Sequence, residues 1–358
     1  MVGSQTMIME LYRNIDRTKV QFDFIVDKKN EMFFADEIEK LGGKIYIMNS
    51  YKLYNHFLYC YKLKRFFKEH PEYEIIHCHL KSIASIVLRI AKKFGLLTIC
   101  HSHSTTNGTG AKAIIKSLLQ KKIINYSDYL FACSENSAKW VYGEEVLKSD
   151  KCFIINNAID STKYIYNSEI RKRIRHELHI DNSIVIGQVG RIDNVKNHIY
   201  SLNILKKCLE LDENYILMIV GDGILYNLIQ NKIVDMQLEN NVIMLGNRSD
   251  VNDLMQAMDV FIMPSLSEGL PLALIEAQAA SLPCIISNKI SAGILDIQNV
   301  SIHDIDAENY EDWVKAISHS LKHKRIDNSK LIESNNFDIK HNATWIENFY
   351  FEIIKNKN

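Results

Sequence analysis

Two carboxylates, Glu268 and Glu276, lie in a stretch, residues 261–287, with the pattern of a short buried strand, a tight loop, a helix and a second strand. Three of the chain's four prolines fall in this stretch and mark the strand end, the helix start and the helix end: Pro264, Pro271 and Pro283. A helix that begins near Pro271 places Glu276 about one and a half turns from its start. One acid is therefore predicted in the loop and the other on the wall of the helix.

The start of that helix is a predicted anion site. The first backbone N–H groups of a helix have no partner inside it, and here they would come from Gly269, Leu270 and the residues after Pro271. An anion bound there would lie between Glu268 and Glu276. The arrangement suits a ligand with a diphosphate in its middle and hydroxyl groups at both ends, and a nucleotide-sugar has that shape.

Two cations, Arg191 and Lys196, follow the predicted strand IVIGQVG. Open α/β sheets bind ligands at strand ends, and two positive side chains there can neutralise a leaving diphosphate without a metal ion. The alternative is purely structural. In that case Glu268 caps a helix and Arg191 forms a surface ion pair.

The composition is that of a globular protein with two α/β domains and no bulk charge. The 358 residues suffice for two cores, and 43 basic residues balance 43 acidic ones, so no net field attracts nucleic acid. The seven cysteines form no CxxC pair and lie mostly in apolar runs, as reduced thiols of a cytoplasmic protein do. No apolar run approaches the ~18 residues of a membrane span. We expect a cytoplasmic protein, either soluble or peripheral on the inner face of the plasma membrane.

Predicted strands and helices alternate in two series along the chain, as in βαβ units on parallel sheets. We expect an N-terminal domain over residues 1–160, a C-terminal domain over residues 161–335, and a final helix over 336–358 that packs back on the first domain. The polar, basic stretch between Asp160 and Ser183 contains no apolar strand. It is interpreted as the connection between the domains.

Four segments of the second half carry a resemblance to a known family: GRIDNVKN at 190–197, IVGDG at 219–223, LGNRSDV at 245–251 and PSLSEGLPLALIEAQAASLP at 264–283. Together they resemble the donor-binding half of the retaining family 4 glycosyltransferases. The first half resembles bacterial capsule and exopolysaccharide members more loosely, in MIMELYRNIDRTKVQFDFIV, IIHCHLK and HSHST. The resemblance implies the GT-B fold, an α/β architecture of two Rossmann-like, doubly wound domains that face each other across a cleft.

The resemblance also implies roles for individual residues. Glu268 would bond the hydroxyls of the donor sugar, Glu276 would accept from the ribose hydroxyls, and Leu270 with its neighbours would donate N–H bonds to the phosphates. The implied donor-binding positions are Gly3, Gly190, Gly221, Arg248, Gly269, Leu270, Pro271 and Glu276, and the implied catalytic positions are His103, Arg191, Lys196 and Glu268. Gly221 and Gly223 either approach the nucleotide or only turn the chain, and both interpretations stay open.

Two His-x-His pairs end predicted strands of the first half: His77 with His79, and His101 with His103. Residues i and i+2 of a strand share a face, so each pair could form a metal clip. No carboxylate or cysteine partner has metal-site spacing, and we expect no metal and no other cofactor. By resemblance one histidine of the second pair, His103 in preference to His101, faces the donor sugar. The alternative is a hydrogen-bonded loop histidine.

A further acidic pair, Asp304 and Asp306, has the DxD spacing of metal-dependent glycosyltransferases of a different, single-domain fold. The pair lies in a polar segment ahead of a C-terminal helix and far from any predicted strand end. We interpret it as surface and not as a metal site.

Residues 51–68, YKLYNHFLYCYKLKRFFK, combine aromatic side chains with four basic ones: Lys62, Lys64, Arg65 and Lys68. A basic amphipathic helix of this kind can lie on an anionic membrane, and a lipid-linked acceptor would then be favoured. A helix that covers a sheet and exposes one polar face has the same pattern, and this second interpretation is preferred.

The start of the chain departs from the family pattern. A first strand should precede the glycine-rich loop, whereas VGSQT begins almost at Met1. That strand is central in a doubly wound sheet, so we expect its neighbours to lack ladder partners and the first domain to be weakened or rearranged. Gly3 would remain from a loop that in the family approaches the donor phosphate and the acceptor. Either the natural start lies upstream or the protein is impaired.

The leading hypothesis is a retaining, metal-independent glycosyltransferase that moves a sugar from a nucleotide donor, preferentially UDP-linked, to a polysaccharide or lipid-linked saccharide. One alternative is a non-catalytic nucleotide-sugar-binding protein, or a transferase impaired by the missing strand. A less favoured one is a nucleotide-sugar epimerase of the same two-domain architecture.

Overall fold

The computed structural model describes residues 3–27, 34–80, 83–103, 117, 119–268, 270–290, 295, 299–305 and 309–357. The chain divides into two compact units. Unit 1 comprises residues 1–158 and 339–358, and unit 2 comprises residues 159–338. Among the helices described in these ranges, none combines the length and the apolar character that a membrane span needs.

Unit 1 alternates helices with short strands. Its helices are α1 (Gly3–Asn14), α2 (Ala35–Lys40), α3 (His56–Glu69), α4 (Ala84–Lys93), α5 (Ile123–Tyr126), α6 (Glu135–Tyr142) and the C-terminal α14 (Ile339–Lys357). Its strands are β1 (Phe24–Val26), β2 (Ile45–Ile47), β3 (Ile75–Cys78), β4 (Leu97–Ser102), β5 (Tyr129–Ala132) and β6 (Cys152–Ile154). Single 3-10 turns cover Leu53–Asn55 and Glu144–Lys148.

The strands of unit 1 form two separate parallel sheets. Among the described residues, one sheet has the order β3-β4-β5-β6, and the other pairs β1 with β2. In the part of the chain that the structure describes, no strand precedes α1, and β1 and β3 each pair on one side only.

The C-terminal helix α14 completes the core of unit 1. Its buried face includes Ile346, Phe349 and Tyr350. The Phe349 ring meets the Phe131 ring of β5 edge to face, with 5.1 Å between the centroids. A long amphipathic helix of this kind gains its stability by burying an apolar face against the sheet.

Unit 2 repeats the alternation with longer, more apolar strands. Its strands are β7 (Ile184–Val189), β8 (Tyr215–Val220), β9 (Val242–Met244), β10 (Val260–Met263), β11 (Cys284–Ser287) and β12 (Val300–His303). Its helices are α7 (Ser168–Glu177), α8 (His198–Leu209), α9 (Tyr226–Asp235), α10 (Val251–Ala257), α11 (Leu272–Ala279), α12 (Tyr310–Ser320) and α13 (Ser329–Ser334), and a 3-10 turn covers Ser161–Tyr164.

The six strands described in unit 2 are parallel, in the order β12-β11-β10-β7-β8-β9. Every residue of β8, β10 and β11 is buried, because helices cover both faces of the sheet. From β7 the chain adds β8 and β9 on one side and then returns to add β10, β11 and β12 on the other. The direction of winding therefore reverses between β7 and β10.

In two stretches of unit 2 the structure shows more than the sequence-based interpretation. The stretch read as a connection between domains contains helix α7, because the Asn167 side chain accepts from the N–H groups of Glu169 and Ile170 and caps its start. The segment of Asp304 and Asp306, interpreted as far from any strand end, lies directly after β12. This strand was not predicted because its residues are only partly buried. Asp304 is thus at a strand end but exposed, and Asp306 lies outside the described residues.

Candidate functional site

The reversal between β7 and β10 creates the place where open parallel sheets bind ligands. At such a switch point the two following loops diverge to opposite faces and leave a crevice at the carboxyl ends of the strands. The loop after β7 is residues 190–197, and the loop after β10 is residues 264–271. Both loops carry residues that the sequence singled out.

The loop after β7 is held in one conformation by its own side chains. The Gln188 amide donates to the Lys196 carbonyl at 2.8 Å, and the Lys196 N–H donates to the Asp193 carboxylate at 3.2 Å. Asn197 adopts a left-handed conformation, with φ 54°, directly before α8, which asparagine tolerates better than most residues. The loop thus fixes the backbone from which the Lys196 side chain extends.

A backbone hydrogen bond joins the two loops. The Leu266 N–H donates to the Val195 carbonyl at 2.8 Å. Two residues further on, Glu268 forms a bridge with Ile290, which follows β11. The segment that carries Glu268 is therefore anchored both to the lysine loop and to the neighbouring strand end.

Lys196 and Glu268 meet across these loops. The Lys196 ammonium lies 2.6 Å from a Glu268 carboxylate oxygen, and the two side chains are only 15% and 16% exposed. A close, largely desolvated pair is stronger than a surface pair, because little water screens it. The pair offers an ammonium to a phosphate oxygen and a carboxylate to hydroxyl groups within one small volume.

Glycines make room for this arrangement. A Cβ on Gly190 would lie 2.8 Å from Cε of Lys196, so a side chain there would displace the lysine. A Cβ on Gly221 would lie 1.9 Å from the Gly190 carbonyl oxygen, and one on Gly223 would lie 2.3 Å from the Ile192 carbonyl oxygen. Gly190 and Gly221 also have φ of +150° and +145°. Close contact between the loops after β7 and β8 therefore requires these glycines, whichever ligand binds.

The two arginines are engaged by nearby aspartates. Arg191 is 77% exposed, and its Nε lies 3.5 Å from the Asp193 carboxylate. Arg248 forms two hydrogen bonds with Asp250, of 2.7 and 2.6 Å, and these bonds lower the pKa of that carboxyl. Neither guanidinium belongs to the Lys196–Glu268 pair as the structure shows it.

The start of α11 contains the remaining donor-binding candidates. The helix begins at Leu272, with Pro271 at the N-cap position, and Leu270 is partly buried against the core of unit 2. Glu276 is the fifth helical residue and is partly exposed. Gly269 lies outside the described residues, and Gly3 opens α1 in unit 1.

His198 is a residue of this region that the sequence analysis did not single out. It opens α8 two positions after Lys196 and is 2% exposed, and within the described ranges neither ring nitrogen has a hydrogen-bond partner. Burial, with a smaller contribution from the Lys196 ammonium, lowers the pKa of His198 to about 4. The sequence feature that could have identified His198 is its position two residues after Lys196.

In unit 1, His77, His79, His101 and His103 form one stacked group, here called the histidine cluster. The distance between ring centroids is 4.4 Å for His77 and His79 and 4.2 Å for His101 and His103. His79 Nδ1 and His103 Nε2 are 2.8 Å apart. Burial lowers the pKa of all four imidazoles, to about 3 for His77 and about 4 for His103, so the cluster is neutral at physiological pH.

Two family models match the chain. The family described as "Glycosyl transferases group 1" matches residues 170–336, and the family described as "Glycosyltransferase Family 4" matches residues 1–163. The candidate glycosyltransferase EpsF of Bacillus subtilis is 30% identical over 325 residues, which cover 88% of this chain and 84% of that protein. The Escherichia coli enzyme UDP-Gal:alpha-D-GlcNAc-diphosphoundecaprenol alpha-1,3-galactosyltransferase is 29% identical over 311 residues, which cover 80% of this chain and 77% of that enzyme.

Solved structures share the fold. A glycosyltransferase from Rickettsia africae superposes with a TM-score of 0.76 at 18% identity, over 99% of this chain and 96% of that one. Anabaena HepE in complex with UDP and glucose superposes with a TM-score of 0.72 at 15% identity, over 98% of this chain and 96% of that one. At these identities the likeness establishes the architecture.

Proposed function

The chain belongs to glycosyltransferase family 4 and has the GT-B fold, and on that premise we propose that it is a retaining, metal-independent transferase that uses a UDP-sugar. The proposed acceptor is a growing polysaccharide or a lipid-linked saccharide. The donor is supported by the UDP bound in HepE and by the UDP-galactose in the name of the Escherichia coli relative. The acceptor class is supported by the diphosphoundecaprenol in that relative's name.

The Lys196–Glu268 pair carries the proposal. It lies at the switch point of the unit 2 sheet, with a cation and a carboxylate 2.6 Å apart in a mostly water-excluded position. In the proposed complex the ammonium binds the diphosphate and Glu268 accepts hydrogen bonds from the donor sugar. Glu276 on α11 binds the ribose hydroxyls, and the N–H groups at the start of α11 donate to the phosphates.

Departure of UDP needs positive charge at the leaving oxygens. Lys196 supplies one charge, and we propose that the exposed Arg191 leaves Asp193 to supply the second when the donor binds. Cations placed where charge develops in the transition state act without further reorganisation, so no metal ion is required at the diphosphate. Metal independence here means that Lys196 and Arg191 stabilise the leaving diphosphate in place of a metal ion.

Retention follows from the proposed direction of attack. The acceptor hydroxyl approaches the anomeric carbon on the face that UDP leaves, the C–O bond to UDP breaks, and the departing phosphate takes the hydroxyl proton. This route needs no enzymatic nucleophile and no separate base. His103 is proposed to contact the donor sugar.

We further propose that α3 and the turn before it attach the protein to an anionic membrane. One face of α3 is buried in unit 1 through Tyr59, Leu63 and Phe67, so the helix does cover the scaffold. The turn before α3 and a second face of the helix carry large apolar side chains that are exposed to solvent: Leu53, Tyr54, Phe57, Leu58 and Tyr61. Tyr54 is 83% exposed and Phe57 is 87% exposed.

Basic side chains accompany this open face. Lys62, Lys64, Arg65 and Lys68 are all exposed along the same helix. Aromatic side chains insert at the headgroup level of a bilayer, and each basic residue near an anionic surface contributes about 1 kcal/mol. A membrane-attached enzyme would meet a lipid-linked acceptor at the surface where that acceptor lies.

Release of nucleotide from a panel of UDP- and GDP-sugars, with purified protein and no added metal, tests the function. We expect slow hydrolysis of one UDP-sugar at a rate that a chelator leaves unchanged, and an initial product with the anomeric configuration of the donor by NMR. Turnover that requires a divalent ion contradicts metal independence, and an inverted product contradicts retention.

A non-catalytic nucleotide-sugar-binding protein is the second candidate. The observation that favours it is the division of the unit 1 strands into two sheets, with β1 and β3 unpaired on one side within the described ranges. Tight binding of a UDP-sugar without release of UDP, in the presence of membrane and acceptor lipid, would favour this function over transfer.

A further inference from the structure

The histidine cluster is built by the pairing of two parallel strands. His77 on β3 lies opposite Ile99, and Cys78 lies opposite Cys100 on β4. Alternate residues of a strand share a face, so His77 and His79 point to the same side of the sheet as His101 and His103. Sequence spacing alone shows two separate pairs 24 residues apart, whereas the register brings all four imidazoles together at the carboxyl ends of the strands.

Three of these imidazoles each bring a ring nitrogen into one small volume. One ring nitrogen from each of His77, His79 and His101 lies within 4.8 Å of the other two. His77 Nε2 and His101 Nδ1 are 3.1 Å apart, a hydrogen bond that coordination through His77 Nε2 and His101 Nε2 would replace. Tetrahedral zinc with Zn–N bonds of 2.0–2.1 Å holds its ligands about 3.4 Å apart, so the rings must turn to bring all three nitrogens to that separation.

The outer contacts of two of these histidines match those of metal ligands. His77 Nδ1 is hydrogen-bonded to the Tyr350 hydroxyl of α14, and His79 Nδ1 is hydrogen-bonded to His103 Nε2. A metal-bound imidazole usually makes such a bond through its other nitrogen, which fixes the tautomer and the ring orientation. Coordination by His77 and His79 would therefore use Nε2.

His101 gives an independent sign of a missing partner. Its side chain is completely buried, and among the described residues no hydrogen-bond partner lies within reach of its Nε2. A buried polar atom without a partner costs free energy, and native structures usually satisfy it with protein, water or an ion. The neutral form that burial imposes on these imidazoles is also the form that binds metals.

We propose that His77, His79 and His101 bind one divalent transition-metal ion of the zinc class, with a fourth position for water. Three neutral imidazoles suit zinc, cobalt, nickel or copper and do not suit magnesium or calcium, which prefer oxygen ligands. The ion would join β3, an edge strand of the described four-stranded sheet, to β4. Its role is structural, and no step of the proposed sugar transfer uses it.

Cobalt titration of chelator-stripped, full-length protein without a polyhistidine tag tests the site. We expect one Co²⁺ per chain, the visible absorption of four-coordinate cobalt, displacement by Zn²⁺, and a higher melting temperature with either ion. His79→Gln should weaken binding by 100-fold or more, and Tyr350→Phe, which keeps the packed ring, should weaken it roughly 10-fold to 100-fold. The matched control is His176→Gln, whose side chain is 84% exposed in unit 2 and which should bind like the wild type.

The wild-type titration decides the proposal even if a variant fails to fold. Absence of stoichiometric cobalt binding by folded wild-type protein overturns the site, and so does binding that His79→Gln leaves unchanged in a folded variant. In both cases the cluster is a neutral, hydrogen-bonded packing group. Because the proposed transfer needs no metal, stripped protein should still release UDP, so failure of this inference and failure of the proposed function are distinguishable.

Discussion

Lys196 and Glu268, 72 positions apart in the sequence, form an ion pair of 2.6 Å in which each side chain is about five-sixths buried. Their loops follow β7 and β10, two neighbouring strands between which the winding of the unit 2 sheet reverses. A pair so placed is ready for a ligand with both phosphate and hydroxyl groups.

A double-mutant cycle measures the coupling energy between Lys196 and Glu268. Lys196→Met and Glu268→Gln should each destabilise the protein by roughly 1–3 kcal/mol, because each leaves a partly buried charge without its partner. The double variant should recover part of that loss, with a coupling energy of about 1–3 kcal/mol in denaturant unfolding. The exposed pair Lys207 and Glu210, at 2.8 Å, provides the control cycle and should couple more weakly, because water screens it. Equal coupling energies in the two cycles would show that burial does not strengthen the site pair.

Gly221→Ala should be strongly destabilising. The new Cβ would lie 1.9 Å from the Gly190 carbonyl oxygen, and backbone cannot move aside as a flexible side chain can. We expect a loss of roughly 3 kcal/mol or more in the free energy of unfolding, since strain in φ and a steric clash act together. Gly95→Ala is the matched control, because Gly95 also has a positive φ but nothing within 4 Å of its Cβ position. If both variants lose the same stability, the contact between the loops after β7 and β8 is not what requires glycine.

Sequence patterns could predict a large part of this site. The βαβ alternation places Lys196 and Glu268 after strands, and the prolines mark where α11 begins, because these features depend on local conformation. The contact between the loop of Glu268 and the loop of Lys196 depends on β10 lying beside β7, which no local pattern specifies. The polar composition of α7 concealed a helix that is held by the Asn167 cap and by hydrogen bonds from its arginines to the carbonyls of Ala257 and Met258.

The histidine cluster shows the same boundary between local and long-range information. Each His-x-His pair is visible in the sequence, and its alternation predicts a shared face. The register of β3 against β4 determines whether the two pairs meet, and register comes from pairing over more than twenty residues. A metal site therefore had no support from spacing alone, since neither pair has a third ligand nearby in the sequence.

The protein should lose stability as the pH falls from about 6.5 to 4. The folded-state pKa of His198 is about 4, below its ordinary value near 6.5, so between these values the unfolded chain binds more protons and folding becomes less favourable. The contribution of His198 is about 3 kcal/mol over this window. His198→Gln should flatten the dependence of melting temperature on pH, whereas the exposed His176→Gln should keep the wild-type slope. A His198→Gln variant with an unchanged slope would contradict the burial of this imidazole.

Membrane attachment should depend on the open face of α3. Phe57→Ser combined with Tyr54→Ser should reduce sedimentation with vesicles that contain anionic lipid by 10-fold or more, because two exposed aromatic anchors are lost. Ile224→Ser removes an equally exposed apolar side chain from unit 2 and serves as the control. Binding should also weaken with added salt, since the four lysine and arginine side chains of α3 contribute through screened charge. If the double variant sediments with vesicles as the wild type does, and added salt has no effect, α3 and the turn before it are not the membrane-binding surface.

The central claim is tested most directly by calorimetric binding to the wild type, Lys196→Ala and Glu268→Ala. The ligands are UDP and the intact UDP-sugar that the wild type hydrolyses. Lys196→Ala should weaken both ligands by roughly 10-fold to 100-fold, because the ammonium binds the diphosphate that they share. Glu268→Ala should leave UDP affinity within a few-fold of the wild type and remove the preference for the UDP-sugar over UDP. Folded variants that bind both ligands as the wild type does would contradict the assignment of this ion pair to the donor site.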